Sequence, residues 1–153
     1  MKITIISIGK FSKNDPNLEL FLEYQKRLKW KLELKELIIK GQFEGEVLKS
    51  KEAEVILANI ASDSKIIALD EKGKLFSSPE FAGLIQDYSN KGTSHLSFVI
   101  GGADGLSEAL KKRADLVLSF GKMTFPHMMI RAFLSEQIYR AYTIINNHPY
   151  HRN

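Results

Sequence analysis

Three of the four histidines, His127, His148 and His151, lie in the last part of the chain, which closes on His148-Pro149-Tyr150-His151-Arg152. After Lys122 the only charged side chains are Arg131, Glu136, Arg140 and Arg152. Such a set can stack on rings, donate hydrogen bonds and carry positive charge, which suits base and phosphate contacts in RNA. A frayed terminus is the plain alternative. No nearby carboxylate or cysteine completes a ligand set around the histidines, so no metal is expected.

Two glycine-bearing segments offer a second kind of chemistry. In Gly101-Gly102-Ala103-Asp104-Gly105, adjacent glycines permit positive φ and a close approach of ligand to backbone. The spacing is not that of a dinucleotide-binding turn. A tight strand-to-helix turn and a ligand site both remain open readings. Gly121-Lys122 resembles the end of a phosphate-binding loop, but that pattern needs a glycine where Leu116 stands and a hydroxyl residue where Met123 stands. The backbone of Phe120 to Phe125 could bond a flat heterocycle while Met123 and Phe125 pack on it. Alternatively, both side chains are core.

The elements that position these segments follow from periodicity. Lys2 to Ile8, Leu32 to Ile39, Lys65 to Leu69, Leu96 to Ile100 and Leu116 to Phe120 read as strands, mostly continuous apolar runs. Helices are expected from Asp15-Pro16, over Glu46 to Ala61, from Ser77-Ser78-Pro79-Glu80, briefly after Gly105, and from Pro126 to about Asn146. Gly41 to Gly45 is a loop, and Glu71-Lys72-Gly73 a turn. On the last helix Arg131 and Arg140 lie off the apolar stripe, and Glu136 with Arg140 reads as a surface ion pair. Strands alternating with helices predict an α/β fold with a mostly parallel central sheet flanked by helices. Ligands bind beyond the carboxyl ends of such strands. That singles out Leu69-Asp70, Ile100-Gly101-Gly102 and Phe120-Gly121-Lys122.

Composition narrows the class further. The 153 residues suit one domain, and 44% hydrophobic with 26% charged residues is ordinary globular usage. Cysteine is absent, which excludes disulfides and thiolate chemistry and fits a reducing compartment. The net charge of +4 permits nucleic-acid binding without requiring it. No apolar run is long enough to span a bilayer, and the apolar start is too short for a signal peptide, so no membrane partner and a cytoplasmic location are expected.

FVIGGADGL, then LSFGKMTFPHMMIRAFLSEQIYRAY, then NHPYHR at the end, resemble in order and spacing the RlmH (YbeA) family. These are the 23S rRNA (pseudouridine1915-N3)-methyltransferases of the SPOUT class. The resemblance covers the whole chain and implies a single SPOUT domain over 1–153 with a C-terminal trefoil knot, active as a homodimer. It implies S-adenosylmethionine held by Leu69, Gly101, Phe120, Gly121, Lys122, Met123, Thr124 and Phe125. The substrate would be a pseudouridine of 23S rRNA in the assembled ribosome, methylated at N3. Arg140, Tyr150 and His151 match functional C-terminal positions, with His151 the expected base, since its ordinary pKa of about 6.5 lies near neutrality. His127 is a second candidate base, or a helix-start hydrogen-bond partner. Arg152, Arg131 and Lys10 are expected on the RNA. The acidic segment after Gly41 fits an RNA-facing loop poorly. Rival readings are an enzyme using NAD or ATP at the same sheet edge, and a non-catalytic ribosome-binding protein.

Overall fold

Two strands take the centre of the sheet because their sequences tolerate no solvent on either face. The computed structural model describes residues 1–152. In β1 (Lys2–Ile8) every residue after Lys2 is buried, and in β4 (His95–Ile100) all are. Successive side chains point to opposite faces. Ile3 and Ile5 therefore join one apolar cluster while Ile6 and Ile8 join the other.

The remaining elements are α1 (Pro16–Arg27), β2 (Lys31–Leu37), α2 (Gly45–Asn59), β3 (Lys65–Leu75), α3 (Ser78–Asn90), α4 (Glu108–Arg113), β5 (Leu116–Ser119) and α5 (His127–Ile145). The strand order is β2-β1-β4-β3-β5 and every neighbouring pair is parallel. The expected α/β class holds, with a wholly parallel sheet. β2 carries Lys and Glu between its leucines and sits at an edge, where charge discourages further pairing. Phe21 of α1, Phe81 and Ile85 of α3, and Leu134 and Ile138 of α5 cover one face. Ala53 and Ile56 of α2 and Leu110 of α4 cover the other. The chain lays β2 on one side of β1, then builds the other strands on the opposite side. This reversal creates a topological switch point between β1 and β4.

Local signals fix the helix starts as expected. Asp15 caps α1 by accepting from the Asn17 N–H, and Ser77 with Glu80 forms a reciprocal capping box on α3. β2 and β5 end one or two residues before the expected points, which is ordinary fraying. β3 differs more. The expected turn at Glu71-Lys72-Gly73 is an excursion within a strand that continues to Leu75. Leu69 and Lys74 both register with Leu118, so the chain leaves β5 and returns to it. Pairing with β5 overrides the local turn signal.

Gly73 makes that return possible. A Cβ there would lie 2.8 Å from the main-chain atoms of Val117 and Leu118. Gly73→Ala is expected to cost about 1–3 kcal/mol through this overpacking. A lowered urea midpoint, followed by Trp30 fluorescence, checks it. An unchanged midpoint would show that the two backbones are not in contact.

Candidate methyl-donor site and tail cluster

The ends of β3, β4 and β5 converge at one edge of the sheet. The Ser119 hydroxyl accepts from the Gly121 N–H at 3.0 Å and lies 3.0 Å from the Glu71 carbonyl. Thr124 Oγ1 donates to Glu71 Oε2 at 2.6 Å. These bonds tie the loop from Ser119 to Thr124 onto the β3 excursion. Gly121 has φ +146°, a value that favours glycine. After β4, Gly105 N–H donates to the Gly102 carbonyl at 3.0 Å, and Gly105 has φ +79°. A Cβ on Gly101 would meet Gly105 main-chain atoms at 2.9 Å. The tight-turn reading of this segment is therefore correct as geometry, and the turn bounds the same edge. Asp70 faces Lys111 at 3.4 Å and accepts from the Lys72 N–H at 2.8 Å.

Leu69, Phe120 and Gly121 are half-buried, Gly101 is buried, and Lys122 and Thr124 are exposed. Met123 is 76% exposed, so it is not a core side chain. Phe125 packs edge-on against Phe133, ring centres 5.8 Å apart. From Phe120 and Phe125 a groove of about 700 Å³ runs along α5 to Glu136 and Arg140.

At the far end of that groove the C-terminal run is docked. Arg140 bonds Glu136 through Nε at 3.0 Å and Nη2 at 2.5 Å. Tyr150 donates to Glu136 Oε1 at 2.9 Å, and its ring lies 4.9 Å beneath the guanidinium. Tyr150 also packs edge-on against Tyr139. Burial, then its bonds to Tyr24 and Glu136, push the Tyr150 phenol far above its ordinary pKa, so it stays protonated. Arg140 Nη1 lies 3.1 Å from His151 Nδ1. Arginine only donates, so Nδ1 accepts and the imidazole proton sits on Nε2. Arg140, Tyr150 and His151 thus form one cluster, whereas Arg152 is exposed beside it. Glu136 is its hub, and the surface-pair reading of Glu136 is corrected: it is half-buried and has a second partner in Tyr150.

Arg131 also requires correction. It is 0% exposed, with Nη2 at 2.7 Å from the Ile8 carbonyl and 3.0 Å from that of Gly9, and Nη1 at 3.1 Å from Glu36. It satisfies the end of β1 and does not reach out to RNA phosphate. Being off the apolar stripe did not mean solvent, because carbonyls beyond β1 need a donor. Lys10, next along the chain, is exposed. His127 makes no capping bond, and its buried Nδ1 has no partner among the described residues. Burial, with Arg131 adding repulsion, lowers its pKa and keeps it neutral.

The parallel sheet with glycine turns at its carboxyl edge defines an α/β fold shared with solved methyltransferase structures. A probable methylase family protein from Haemophilus influenzae superposes with a TM-score of 0.56 at 16% identity, covering 99% of this chain and 70% of that one. A probable methyltransferase from Bordetella pertussis gives 0.56 at 12% identity, covering 92% and 95%. At such identities the likeness establishes the fold alone. The chain belongs to the SPOUT methyltransferase family, whose profile, described as "Predicted SPOUT methyltransferase", matches residues 1–151. Its relatives include proteins named ribosomal RNA large subunit methyltransferase H. That of Paramagnetospirillum magneticum is 45% identical over 152 residues, 99% of each chain. That of Acholeplasma laidlawii is 43% identical, covering 99% of this chain and all of its own.

Arg131→Met removes the side-chain donor to two carbonyls and leaves Glu36 with the Phe11 N–H alone. It is expected to destabilise the fold by about 3–5 kcal/mol, while Lys10→Ala leaves stability within about 0.5 kcal/mol. Urea unfolding of both variants checks the contrast, and equal midpoints would contradict the assigned role of Arg131.

Proposed function

We propose that this chain transfers a methyl group from S-adenosylmethionine to N3 of a pseudouridine in 23S rRNA of the assembled ribosome, in the cytoplasm and as a homodimer. One observation carries the reading: the loops tied together at the ends of β3 and β5 open into the groove that leads to the Arg140, Tyr150 and His151 cluster. The full-length likeness to proteins named ribosomal RNA large subunit methyltransferase H supports the substrate class. Nothing in the site favours NAD, ATP or a purely binding role.

The strand-end residues suit the donor. Leu69, Gly101 and the run Phe120, Gly121, Lys122, Met123, Thr124 and Phe125 would hold it, with main-chain groups at the turns and apolar surface on Met123 and Phe125. Asp70, Glu71 and Asp104 lie at the same edge, but Lys111 pairs with Asp70 and Lys72 and Lys122 add positive charge, so the main-chain groups and the apolar surface carry the fit to the donor. When bound, the sulfonium supplies an electrophilic methyl whose bond to sulfur breaks as the bond to N3 forms, the N3 proton passing to a base. Fixing both partners in line supplies much of the rate.

His151 is the base in this reading, and Arg140 controls it. While Arg140 donates to Nδ1, that nitrogen cannot accept a proton. Turning the guanidinium onto an imide oxygen of the acceptor frees Nδ1 and stabilises the charge developing on the ring. Arg152 and Lys10 hold phosphates. The exposed Leu20, Leu75 and Phe133 support a second copy packing on this face. A C-terminal trefoil knot is part of this reading.

Incubating ribosomes that lack the modification with the protein and S-adenosylmethionine, then analysing nuclease digests of 23S rRNA by mass spectrometry, tests the reading. The expected product is N3-methylpseudouridine, and a methyl group on another nucleotide, or none, would contradict it. His151→Ala should lower turnover by about 10²–10⁴-fold with calorimetric donor affinity unchanged. Turnover equal to the parent's would remove His151 as the base.

A further inference from the structure

The excess positive charge of the chain is matched by one short segment. Lys26-Arg27-Leu28-Lys29-Trp30-Lys31 holds four cations and no acid. Without those four, the 22 Lys and Arg fall to 18, equal to the 18 Asp and Glu, so the segment carries as much charge as the whole +4 excess. It comprises the end of α1, the turn after it and the first residue of β2.

The fold roots this turn and leaves its cations outside. Leu28 and Leu32 are buried, and the Trp30 ring packs edge-on against Tyr142 of α5, centres 5.3 Å apart. Lys26, Arg27, Lys29 and Lys31 are all exposed. Two of them have acidic partners. Arg27 meets Glu23 at 2.7 Å, and Lys31 meets Glu33 at 3.0 Å, a carboxylate it shares with Lys2 at 3.4 Å. Lys26 and Lys29 pair with no carboxylate among the described residues. A place at the carboxyl end of α1 suits Lys26 and Arg27. Lys29 lies beyond the helix, and neither a helix end nor an ion pair accounts for it.

The turn adjoins the tail cluster through a chain of rings. The Arg27 guanidinium lies 5.6 Å over the Tyr24 ring, and Tyr24 packs against Tyr139 at 5.8 Å. The Tyr150 hydroxyl is 3.3 Å from that of Tyr24. The end of α5 comes to the same corner with Tyr142, followed by the exposed Asn146, Asn147 and His148. Its last carbonyls, on Tyr142, Thr143 and Ile144, accept from the N–H groups of Asn146, His148 and Asn147. The negative end of that helix is thus largely satisfied. None of the four cations lines the groove along α5. The corner is therefore separate from the face assigned to a second copy.

We propose that the turn between α1 and β2 is a docking surface for the RNA backbone beside the acceptor nucleotide, with Lys26 and Lys29 on phosphates. The inference rests on the function proposed above, in which the tail cluster takes the acceptor. A nucleotide cannot reach that cluster without bringing the phosphates of its neighbours. Phosphate contacts position a substrate without reading its sequence. The turn then holds the ribosome, and the chemistry stays with the donor loops and the tail. An acidic protein surface would attract the same lysines, and the salt dependence of binding separates the two.

The test compares two double variants. Lys26→Gln with Lys29→Gln removes two charges from the turn. Lys51→Gln with Lys112→Gln removes two from exposed positions on α2 and α4, across the sheet. Binding to ribosomes is measured by sedimentation between about 50 and 200 mM salt, with methylation and a melting curve for each protein. The first pair should weaken binding at least about tenfold at the low-salt end. It should also make the slope of log affinity against log salt shallower by about two, one for each phosphate contact. Turnover at saturating ribosomes should stay within about twofold of the parent's. Arginine at positions 26 and 29 keeps the charge and should hold affinity within about threefold. Unchanged affinity in the first pair overturns the proposal. Weaker binding with the parent's salt slope assigns the contact to protein and refutes it. An equal loss in the control pair, or in the arginine pair, shows that the lysines make no local phosphate contact. A fall in turnover places them in the chemistry and contradicts a docking role. A parent that binds ribosomes but transfers no methyl group refutes the proposed function, while the binding comparison still decides this inference. A parent that binds no ribosome ends both.

Discussion

At Gly73 one main chain lies directly against another, that of Val117 and Leu118, and the loops of the candidate site hang from this contact. Because no side chain separates the two backbones, the β3 excursion stays in register with β5 on both sides. Glu71 is thereby placed to take Ser119 through its carbonyl and Thr124 through its carboxylate. The segment from Ser119 to Thr124 gains a fixed shape without being helix or strand. A binding loop on a rigid support loses less entropy when it orders around a ligand. The exposure of Met123 fits this arrangement, since the loop is held by its polar bonds and leaves an apolar side chain free.

The C-terminal cluster uses a different economy of charge. Glu136 accepts from both Arg140 and Tyr150 at a half-buried position, where charge-assisted bonds are stronger than on an open surface. Tyr150 adds its ring to the face of Arg140 and to Tyr139. A terminus of this length would fray without such partners. The cluster also holds His151 in one tautomer, so the resting arrangement stores the imidazole in a form that cannot accept a proton on Nδ1.

Much of this was legible in the residues. Continuous apolar runs such as Ile3 to Ile8 announced strands buried on two faces, and Ser77 with Glu80 announced its helix start. The strand-end rule singles out Leu69, Gly101 and Phe120, and the parallel sheet brings these three strand ends to one edge. What stayed hidden depended on contacts distant in sequence. Arg131 looks solvent-facing on a helical wheel, yet the carbonyls of Ile8 and Gly9 claim it. Glu136 and Arg140 have the spacing of an ordinary surface pair, and only the docked terminus reveals a hub. Glu52 lies in a charged stretch of α2, and its burial follows from the absence of a side chain at Gly102. The β3 excursion reads as a turn because its residues favour turns locally, while its partner strand lies more than forty residues further on, at Lys74↔Leu118.

The placement of the methyl donor at the carboxyl edge of β3, β4 and β5 is tested most directly by nuclear magnetic resonance of the ¹⁵N-labelled protein during titration with S-adenosylmethionine. Saturable shifts should concentrate on the amides of Leu69, Gly101, Gly105 and Gly121 to Phe125, leaving Lys2, Lys31 and His95 at the opposite edge unmoved. Shifts confined to that opposite edge, or no saturable shifts at all, would contradict it.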